Sequence, residues 1–385
     1  MPIIGEPHPK EVSLYFHIPF CNKKCPYCHF YVHPNLEHSK DLLLDALLKE
    51  WQYRQPLLAG RKISSIYFGG GTPTLFGAGR LKKLLSAIFH SPLDFAPDLE
   101  MTIEANPENI IRSFAEDLRS MGFNRISIGA QSLDASLLQI LGRDHAPNKI
   151  EESIFQAFHA GFENITIDLM YEVPNLTFRS WEATVHHIAT LPIAHLSLYN
   201  LTFEERTPFF YKEHILKKQL PSEADSVQML DYAIKNWQNI GLERYEISAF
   251  AKKGFHSRHN TGYWLARPFL GFGPSAFSYF AGRRFRNIPS LKKYAEAIKS
   301  EKSWLDFEEK LSYPDNIREL LSVQLRLLQG VDLKKFARRH GKIDEITRRR
   351  LDHLIEEKYL MEHEDNISLS PKGLLFYDSV AAELV

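Results

Sequence analysis

The chain has 385 residues, 44% hydrophobic and 24% charged, the composition of a soluble globular protein long enough for more than one domain. Lys and Arg (47) balance Asp and Glu (47), so no global charge draws the chain to nucleic acid or to an anionic membrane. No apolar run reaches the ~18 residues that span a bilayer. The start, MPIIGEPHPKEVSLYF, lacks the basic-then-apolar order of a secretion signal, and three cysteines are too few for a disulfide framework. Together these features predict a cytoplasmic protein.

Residues 12–18, rich in aromatic and β-branched side chains, predict a strand. It runs directly into Cys21-Asn22-Lys23-Lys24-Cys25-Pro26-Tyr27-Cys28, which holds every cysteine of the chain. Apolar residues at helical spacing predict a helix over 36–53. A second strand, 63–68, ends in Gly69-Gly70-Gly71-Thr72-Pro73 and is followed by a helix over 80–89. Strand 99–104 leads into Ala105-Asn106-Pro107 and a helix over 109–121, stopped by Gly122. Strand 125–128, ending in Gly129-Ala130-Gln131-Ser132, precedes two helical stretches that reach residue 160. Strand 164–170, helix 178–189, strand 195–201, a long helix over 224–240 and a short strand at 244–248 follow. This alternation calls for a parallel sheet covered by helices, an α/β fold that forms a full or partial barrel. In such folds function gathers at the C-terminal ends of strands. The cysteine loop, the glycine run, Glu104, Gln131 and Asp168 all fall there.

After about residue 250 the alternation stops. Residues 256–264 and 269–285 are rich in Gly, aromatics and Arg without clean periodicity. From residue 314 the chain reads as helices over 317–328, 333–339 and 344–357, a short strand at 367–369 and a last helix from 372. Three helices with a small β element are similar to a winged-helix domain, expected to cover the mouth of the sheet or to meet a partner. The division expected is a core over 1–250, an aromatic and Gly-rich extension over 251–310, and a C-terminal helical domain over 311–385.

Three thiolates at this spacing can converge on one metal centre. Zinc would need His17, His29 or His33 as a fourth ligand, and no second Cys/His pair exists. A [4Fe–4S] cluster normally takes four cysteines, so three would leave one iron open to bind something else. C-x3-C-x2-C after an aromatic strand resembles the radical S-adenosylmethionine (SAM) superfamily, in which SAM chelates that open iron. The glycine run lets a ligand approach the backbone and exposes amides. It lacks a P-loop Lys and a G-x-G-x-x-G continuation, which argues against phosphate binding. One βα unit after the cysteines, it resembles that superfamily's site for the amino group of SAM. Arg143 can pair with a carboxylate and Asp168 with both hydroxyls of a ribose.

The resemblance narrows further. Tyr15-Phe16-His17-Ile18-Pro19-Phe20-Cys21, the run GGGTPT at 69–74 and Gly271-Phe272-Gly273-Pro274-Ser275-Ala276 resemble the oxygen-independent coproporphyrinogen III oxidase family over essentially the whole chain. The resemblance implies a radical-SAM partial (β/α)6-type barrel with a C-terminal mainly helical, winged-helix-like domain. It implies a [4Fe–4S] cluster on Cys21, Cys25 and Cys28. It implies SAM contacts at Tyr15, Tyr27, Gly70, Gly71, Thr72, Glu104, Gln131, Arg143 and Asp168, and less directly near Thr202 and Phe277. Two departures matter. The decarboxylating enzymes of the family resemble C-x3-C-x2-C-x-C, and here that last position is Phe30; they also carry a longer segment before the cluster. His259-Asn260-Thr261-Gly262-Tyr263-Trp264 is similar to the HNxxYW motif of the HemW-type heme chaperones. That likeness implies a heme chaperone with an acceptor protein as partner and His259 as a heme contact, with His256 as a nearby rival.

The alternative is the family's oxidative decarboxylation of coproporphyrinogen III to protoporphyrinogen IX in porphyrin biosynthesis, with SAM as radical source. Imidazole ligates iron and Tyr and Trp offer flat faces, which is compatible with heme; the same hexapeptide also suits a loop that seals the sheet. Arg258, Arg283, Arg284 and Arg286 can pair with propionates or lie on a solvated face. Arg348-Arg349-Arg350 on a helix suggests nucleic acid only weakly in a neutral protein.

Overall fold

Period-two alternation on six parallel strands sets the architecture. The structure, a computed structural model, describes residues 4, 5, 8 and 10–385. The expectation about a leader falls on residues 1–16, of which 1–3, 6, 7 and 9 lie outside the described residues. Strands β1 (Glu11–Ile18), β2 (Lys62–Gly70), β3 (Asp94–Ala105), β4 (Arg125–Gln131), β5 (Asn164–Tyr171) and β6 (His195–Asn200) pair in that order, all in parallel. One face of each is apolar and buried: Leu14, Phe16 and Ile18 on β1, Ile66 and Phe68 on β2, Ile126 and Ile128 on β4, Ile165 and Ile167 on β5. Alternate side chains point the other way. They are polar: Ser13, Tyr15 and His17; Ser65 and Tyr67; Glu100, Thr102 and Glu104; Arg125 and Ser127; Thr166 and Asp168; His195 and Ser197. The apolar face packs under helices α1 (Glu37–Arg54), α2 (Ala78–Phe89), α3 (Arg112–Ser120), α4 (Pro147–His159), α5 (Phe178–Ile188) and α6 (Glu223–Gln238) in one hydrophobic core. The polar face lines the interior.

Beyond residue 250 the sheet does not stop, contrary to the break in the sequence pattern. Strands β7 (Glu243–Glu246) and β8 (Ala249–Ala251) form an antiparallel hairpin beside β6. A short helix, α7 (Arg258–Trp264), follows, and then β9 (Phe269–Phe272) pairs in parallel with the free edge of β1. Strands β10 (Phe277–Phe280), β11 (Arg283–Asn287) and β12 (Leu305–Glu309) continue from β9 as an antiparallel meander, with helix α8 (Leu291–Lys299) between the last two. The sheet order is β12-β11-β10-β9-β1-β2-β3-β4-β5-β6-β8-β7. Among the described residues no pairing joins its two ends, so it is an open, partial barrel, as expected. Phe16 stacks on Phe68 at 4.9 Å and on Phe272 at 4.8 Å, an aromatic row that fixes β9 against β1.

A buried carboxylate ties this late segment to α1. Glu50, 0% exposed, accepts hydrogen bonds from Gly273 N (2.8 Å), Asn287 Nδ2 (2.9 Å), Tyr294 Oη (2.5 Å) and Trp304 Nε1 (3.1 Å) and lies 3.3 Å from Arg54 Nη1. Arg54 in turn donates to Gly271 O and to Asn287 Oδ1.

Helices α9 (Asp315–Gln324), α10 (Leu333–His340), α11 (Glu345–Glu356) and α12 (Tyr377–Leu384) enclose a second hydrophobic cluster. A three-stranded antiparallel sheet completes it: β13 (Val331–Asp332), β14 (Leu360–His363) and β15 (Asn366–Leu369), in the order β13-β15-β14. This part does not cover the mouth of the main sheet, as one expectation had it. It docks on the β7–β8 hairpin, on α7 and on β11. Leu328 N donates to Tyr245 O (3.1 Å), Ile247 N donates to Arg326 O (3.2 Å), the Arg326 guanidinium lies 4.4 Å from the Trp264 ring, and Arg284 pairs with Glu319. Its arginine triplet is engaged internally: Arg348 with Asp352 and Glu362, Arg349 with Glu345 O, Arg350 with Leu384 O. Among the described residues no helix is long and apolar enough to cross a membrane.

Removing one partner of a buried ion pair strands the other. Glu50→Ala is therefore expected to destabilise the fold by about 3–5 kcal/mol, measured by urea unfolding. A loss below about 1 kcal/mol would show that the network is not what holds β9–β12 to α1.

Candidate metal centre and cofactor site

The cysteine loop is closed at its base by backbone pairing. Phe20–Cys21 pairs in parallel with His33–Pro34, and Cys28 N donates to Cys25 O at 3.1 Å. The end of β2 presses against this loop. Gly71 N donates to Ile18 O (2.9 Å) and Thr72 N to Phe20 O (2.7 Å). The glycines make that approach feasible. A Cβ on Gly71 would lie 2.6 Å from the Pro19 carbonyl carbon, and one on Gly70, at φ +112°, 2.5 Å from the His17 ring. This corrects the expectation of exposed amides. Gly70 N also has a partner, donating to Glu104 Oε2 at 3.0 Å. With these amides engaged, the run offers carbonyl oxygens, which suit an ammonium and not a phosphate.

Cys21, Cys25 and Cys28 are free thiols, each partly exposed. Burial pushes the Cys21 thiol up to about 11, against a hydrogen bond to Thr72 that lowers it, with the charges of Cys28 and Cys25 adding to the rise. Burial raises Cys28 as well, and the charge of Cys25 adds to it. Two thiols that resist ionising, Cys21 and Cys28, call for a strong local positive charge to become ligands, which iron supplies. Arg143 adds some: its Nη1 donates to Cys25 Sγ at 3.5 Å. Among the described residues no three His, Cys, Asp or Glu side chains are gathered as around a single metal ion. A cluster gives each thiolate its own iron and does not need them on one atom. The zinc alternative loses ligands. Burial lowers the His17 pKa to about 4, and its nitrogens are held by Tyr15 Oη and Tyr31 O, both at 3.0 Å. His33 Nδ1 is paired with Pro34 O at 2.9 Å. His29, whose ring lies tilted 4.6 Å from that of Phe30, is the one of the three histidines whose ring nitrogens bond no described residue. The three cysteines therefore fit a cluster.

The predicted mouth residues converge beside this loop. Tyr67 Oη donates to Glu104 Oε1 at 2.8 Å, and burial pushes the Glu104 carboxyl up to about 7 against the lowering effect of that bond. Arg143 Nη2 donates to Gly129 O (2.6 Å) and to Asn106 Oδ1 (3.3 Å), while Asn106 Nδ2 donates to Thr72 Oγ1 (3.2 Å). Thr72 Oγ1 lies 3.8 Å from Cys21 Sγ. Gln131 adopts φ +66° next to an irregularity in the β4–β5 pairing, a left-handed conformation that non-glycine residues rarely take. Asp168 accepts from Ser127 Oγ at 3.0 Å, and burial raises its pKa. Tyr27 packs 6.2 Å from Phe209. Tyr15 lies deeper, with its ring 6.1 Å from that of Tyr67. Thr202 is exposed and bonds Glu204, and Phe277 stands on β10 against Phe307. Asn106 was not singled out as a site residue, although it ties Thr72 to Arg143; its position just before Pro107 at a strand end was the available signal.

His259 stands apart from this group. It is 1% exposed on α7, at the N-terminal end of the sheet, with Nδ1 2.9 Å from Ser65 Oγ and Nε2 2.7 Å from Tyr263 Oη. Burial, with Arg267 and Arg125, lowers its pKa well below the usual range. In this arrangement it offers no ring nitrogen to a ligand from outside. His256, the rival, packs its ring 4.4 Å from that of Tyr245. The arginines considered for propionates are ion-paired: Arg258 with Asp98 and Glu11, Arg283 with Glu308, Arg284 with Glu309 and Glu319, Arg286 with Asp306.

Two outcomes follow from these contacts. Gly71→Ala is expected to push β2 off the cysteine loop and lower the iron and sulfide retained after anaerobic reconstitution; unchanged iron content would show that the close approach is dispensable. Glu104, raised from 4.5 to about 7, holds more protons folded than unfolded between those values. Its contribution to stability therefore falls as pH rises through that window, and Glu104→Gln is expected to flatten the decline in urea midpoints between about pH 5 and pH 7.

Comparison with known proteins agrees with this geometry. Residues 15–188 match the radical SAM superfamily and residues 311–376 the HemN C-terminal domain. The chain is 34% identical over 365 residues to the heme chaperone HemW of Lactococcus lactis subsp. lactis (strain IL1403), covering 94% of each chain. It is 31% identical to HemW of Bacillus subtilis (strain 168) over 96% of this chain and 97% of that one. Among solved structures, the Escherichia coli coproporphyrinogen III oxidase HemN, a radical SAM enzyme, superposes with a TM-score of 0.84 at 25% identity, over 97% of this chain and 90% of that one. Sheet order, cysteine loop and full-length similarity together make this chain a member of the HemN/HemW-type radical SAM family.

Proposed function

We propose that this protein is a cytoplasmic heme chaperone that carries a [4Fe–4S] cluster with SAM and hands heme to an acceptor protein. The observation that carries the reading is the likeness to HemW chaperones along the whole chain, at 34% and 31% identity. The cysteine loop supports it. Phe30, 54% exposed, stands where the decarboxylating relatives have a further sulfur. When bound, the cluster with SAM supplies one-electron reducing chemistry. The chain's own part is to hold it: Cys21, Cys25 and Cys28 as ligands, Arg143 as a donor to Cys25, and Thr72 beside Cys21. Carbonyls of the Gly70–Gly71–Thr72 run and the Glu104 carboxylate would receive a ligand ammonium, and Asp168 the hydroxyls of a ribose. Tyr15, Tyr27 and Gln131 would shape the walls. The division into 1–250, 251–310 and 311–385 is carried forward with one addition, that 251–310 is built into the core's own sheet.

The second reading is oxidation of coproporphyrinogen III, favoured by the fold shared with the E. coli oxidase. A heme titration followed by Soret absorbance tests the first reading, and incubation with coproporphyrinogen, SAM and a reductant tests the second. We expect saturable heme binding and no protoporphyrinogen. Non-saturating heme association would remove the chaperone, and turnover would move the assignment to the enzyme.

A further inference from the structure

One cavity lies away from the cluster loop. A cleft of about 830 Å³ opens between α10 and the opposite rim of the sheet. Its floor is the turn before β2, the segment that joins α7 to β9, and the β10–β11 turn. The volume suits a drug-sized or cofactor-sized ligand. Arg61, Tyr279, Lys335, Arg338, Arg339 and His340 supply its polar and aromatic lining, and among the described residues no Asp or Glu lines it. That is a one-sided distribution in a chain whose charges balance. Arg61 lies 4.7 Å from the Phe280 ring, and among the described residues neither Arg61 nor Arg338 is ion-paired. A basic last turn on α10 alone would be accounted for by the helix dipole. The dipole does not explain why Arg61, from the other side of the cleft, faces the same space.

His340 contrasts with His259. His259 is sealed, with both nitrogens bonded. His340 is half-buried on the cleft wall, its ring 4.9 Å from that of Phe336, and its nitrogens bond no described residue. The HNxxYW segment leads directly into this wall, through Ala266 and Pro268. The cleft is thus the accessible space adjoining the motif that drew attention to heme.

We infer that this cleft is the seat of a planar, carboxylate-bearing metalloporphyrin, with Arg61 and Arg338 on its carboxylates and His340 on its iron. The inference rests on the heme-handling reading and locates it at the end of the sheet away from the cluster. Burial and the neighbouring Arg339 lower the His340 pKa to about 4, which keeps the ring in the neutral form that ligates iron. Tyr279 offers an aromatic edge to the ring.

The test titrates full-length protein with ferric heme and with the same porphyrin lacking iron, in wild type, His340→Ala and Arg61→Glu/Arg338→Glu. The double variant is expected to weaken both ligands, by about tenfold per arginine. His340→Ala should weaken heme and shift its Soret band while leaving the metal-free porphyrin unchanged. Circular dichroism and thermal midpoints certify folding, and the arginine pair, lying at the surface, is a second route should His340→Ala unfold. Wild-type heme binding that all three substitutions leave unaltered overturns the site but spares the chaperone reading. No heme binding by wild type overturns both.

Discussion

A barrel whose strands turn apolar side chains outward to helices must satisfy a polar interior, and that constraint organises this molecule. Glu100, Arg125, His195 and Thr166 lie inside near the N-terminal end of the strands, where an unpaired buried polar group costs several kcal/mol. The chain closes that end with helix Arg258–Trp264. Its residues are poor helix formers, with Asn, Thr and Gly inside seven positions. What makes the helix is external: Glu100 accepts from Arg258 N (2.8 Å) and His259 N (2.9 Å), and Ser257 Oγ accepts from Asn260 N (3.2 Å). A carboxylate at a helix N-terminus satisfies orphan donors and meets the positive end of the dipole. His259 then fills the space beneath Tyr67 and Tyr15, so the motif's conspicuous histidine serves as a seal. On the far side, His195 is held between Thr166 Oγ1 (2.7 Å) and Tyr245 Oη (2.9 Å).

The same facts explain what could be read from the sequence. Six βα units were legible because apolar periodicity and glycine stops are local. The 251–310 segment was not, because β9 pairs with β1 across more than two hundred residues and α7 depends on a carboxylate 158 residues away. In the C-terminal part the helices were legible and two strands were not: β13 has two residues, and β14 shows one buried position followed by three exposed ones, which is not alternation.

At the site, residue types and strand-end positions pointed to the mouth, where Asn106 links Thr72 to Arg143 and Glu104 accepts from Gly70 N. The glycine run illustrates the limit of that reading. Three glycines in a row announce close approach, but a sequence does not say to what. Here the approach is of β2 to the cysteine loop, and the amides that a ligand would have used are hydrogen-bonded within the protein. The thiols show the complementary case: their spacing was plain, but the burial that holds Cys21 and Cys28 protonated without a cation, with a smaller contribution from neighbouring thiols, appears only in three dimensions.

The separation between the two ends of the sheet bears on what the protein can do with a porphyrin. Pro268, on the cleft wall, precedes Phe269, which pairs with Ser13, while the cysteine loop begins beyond Ile18. Five strand residues at about 3.3 Å each place the cleft about 17 Å below the cluster loop. Reacting atoms must come within about 3–3.5 Å for a bond to change hands. A porphyrin seated in the cleft would therefore be out of reach of any chemistry at the mouth, with the polar interior and its His259 seal in between. With heme seated as inferred, cargo and redox centre would lie at opposite ends of the sheet, and any influence of the cluster on heme would pass through the strands and α7 and not through a shared active site.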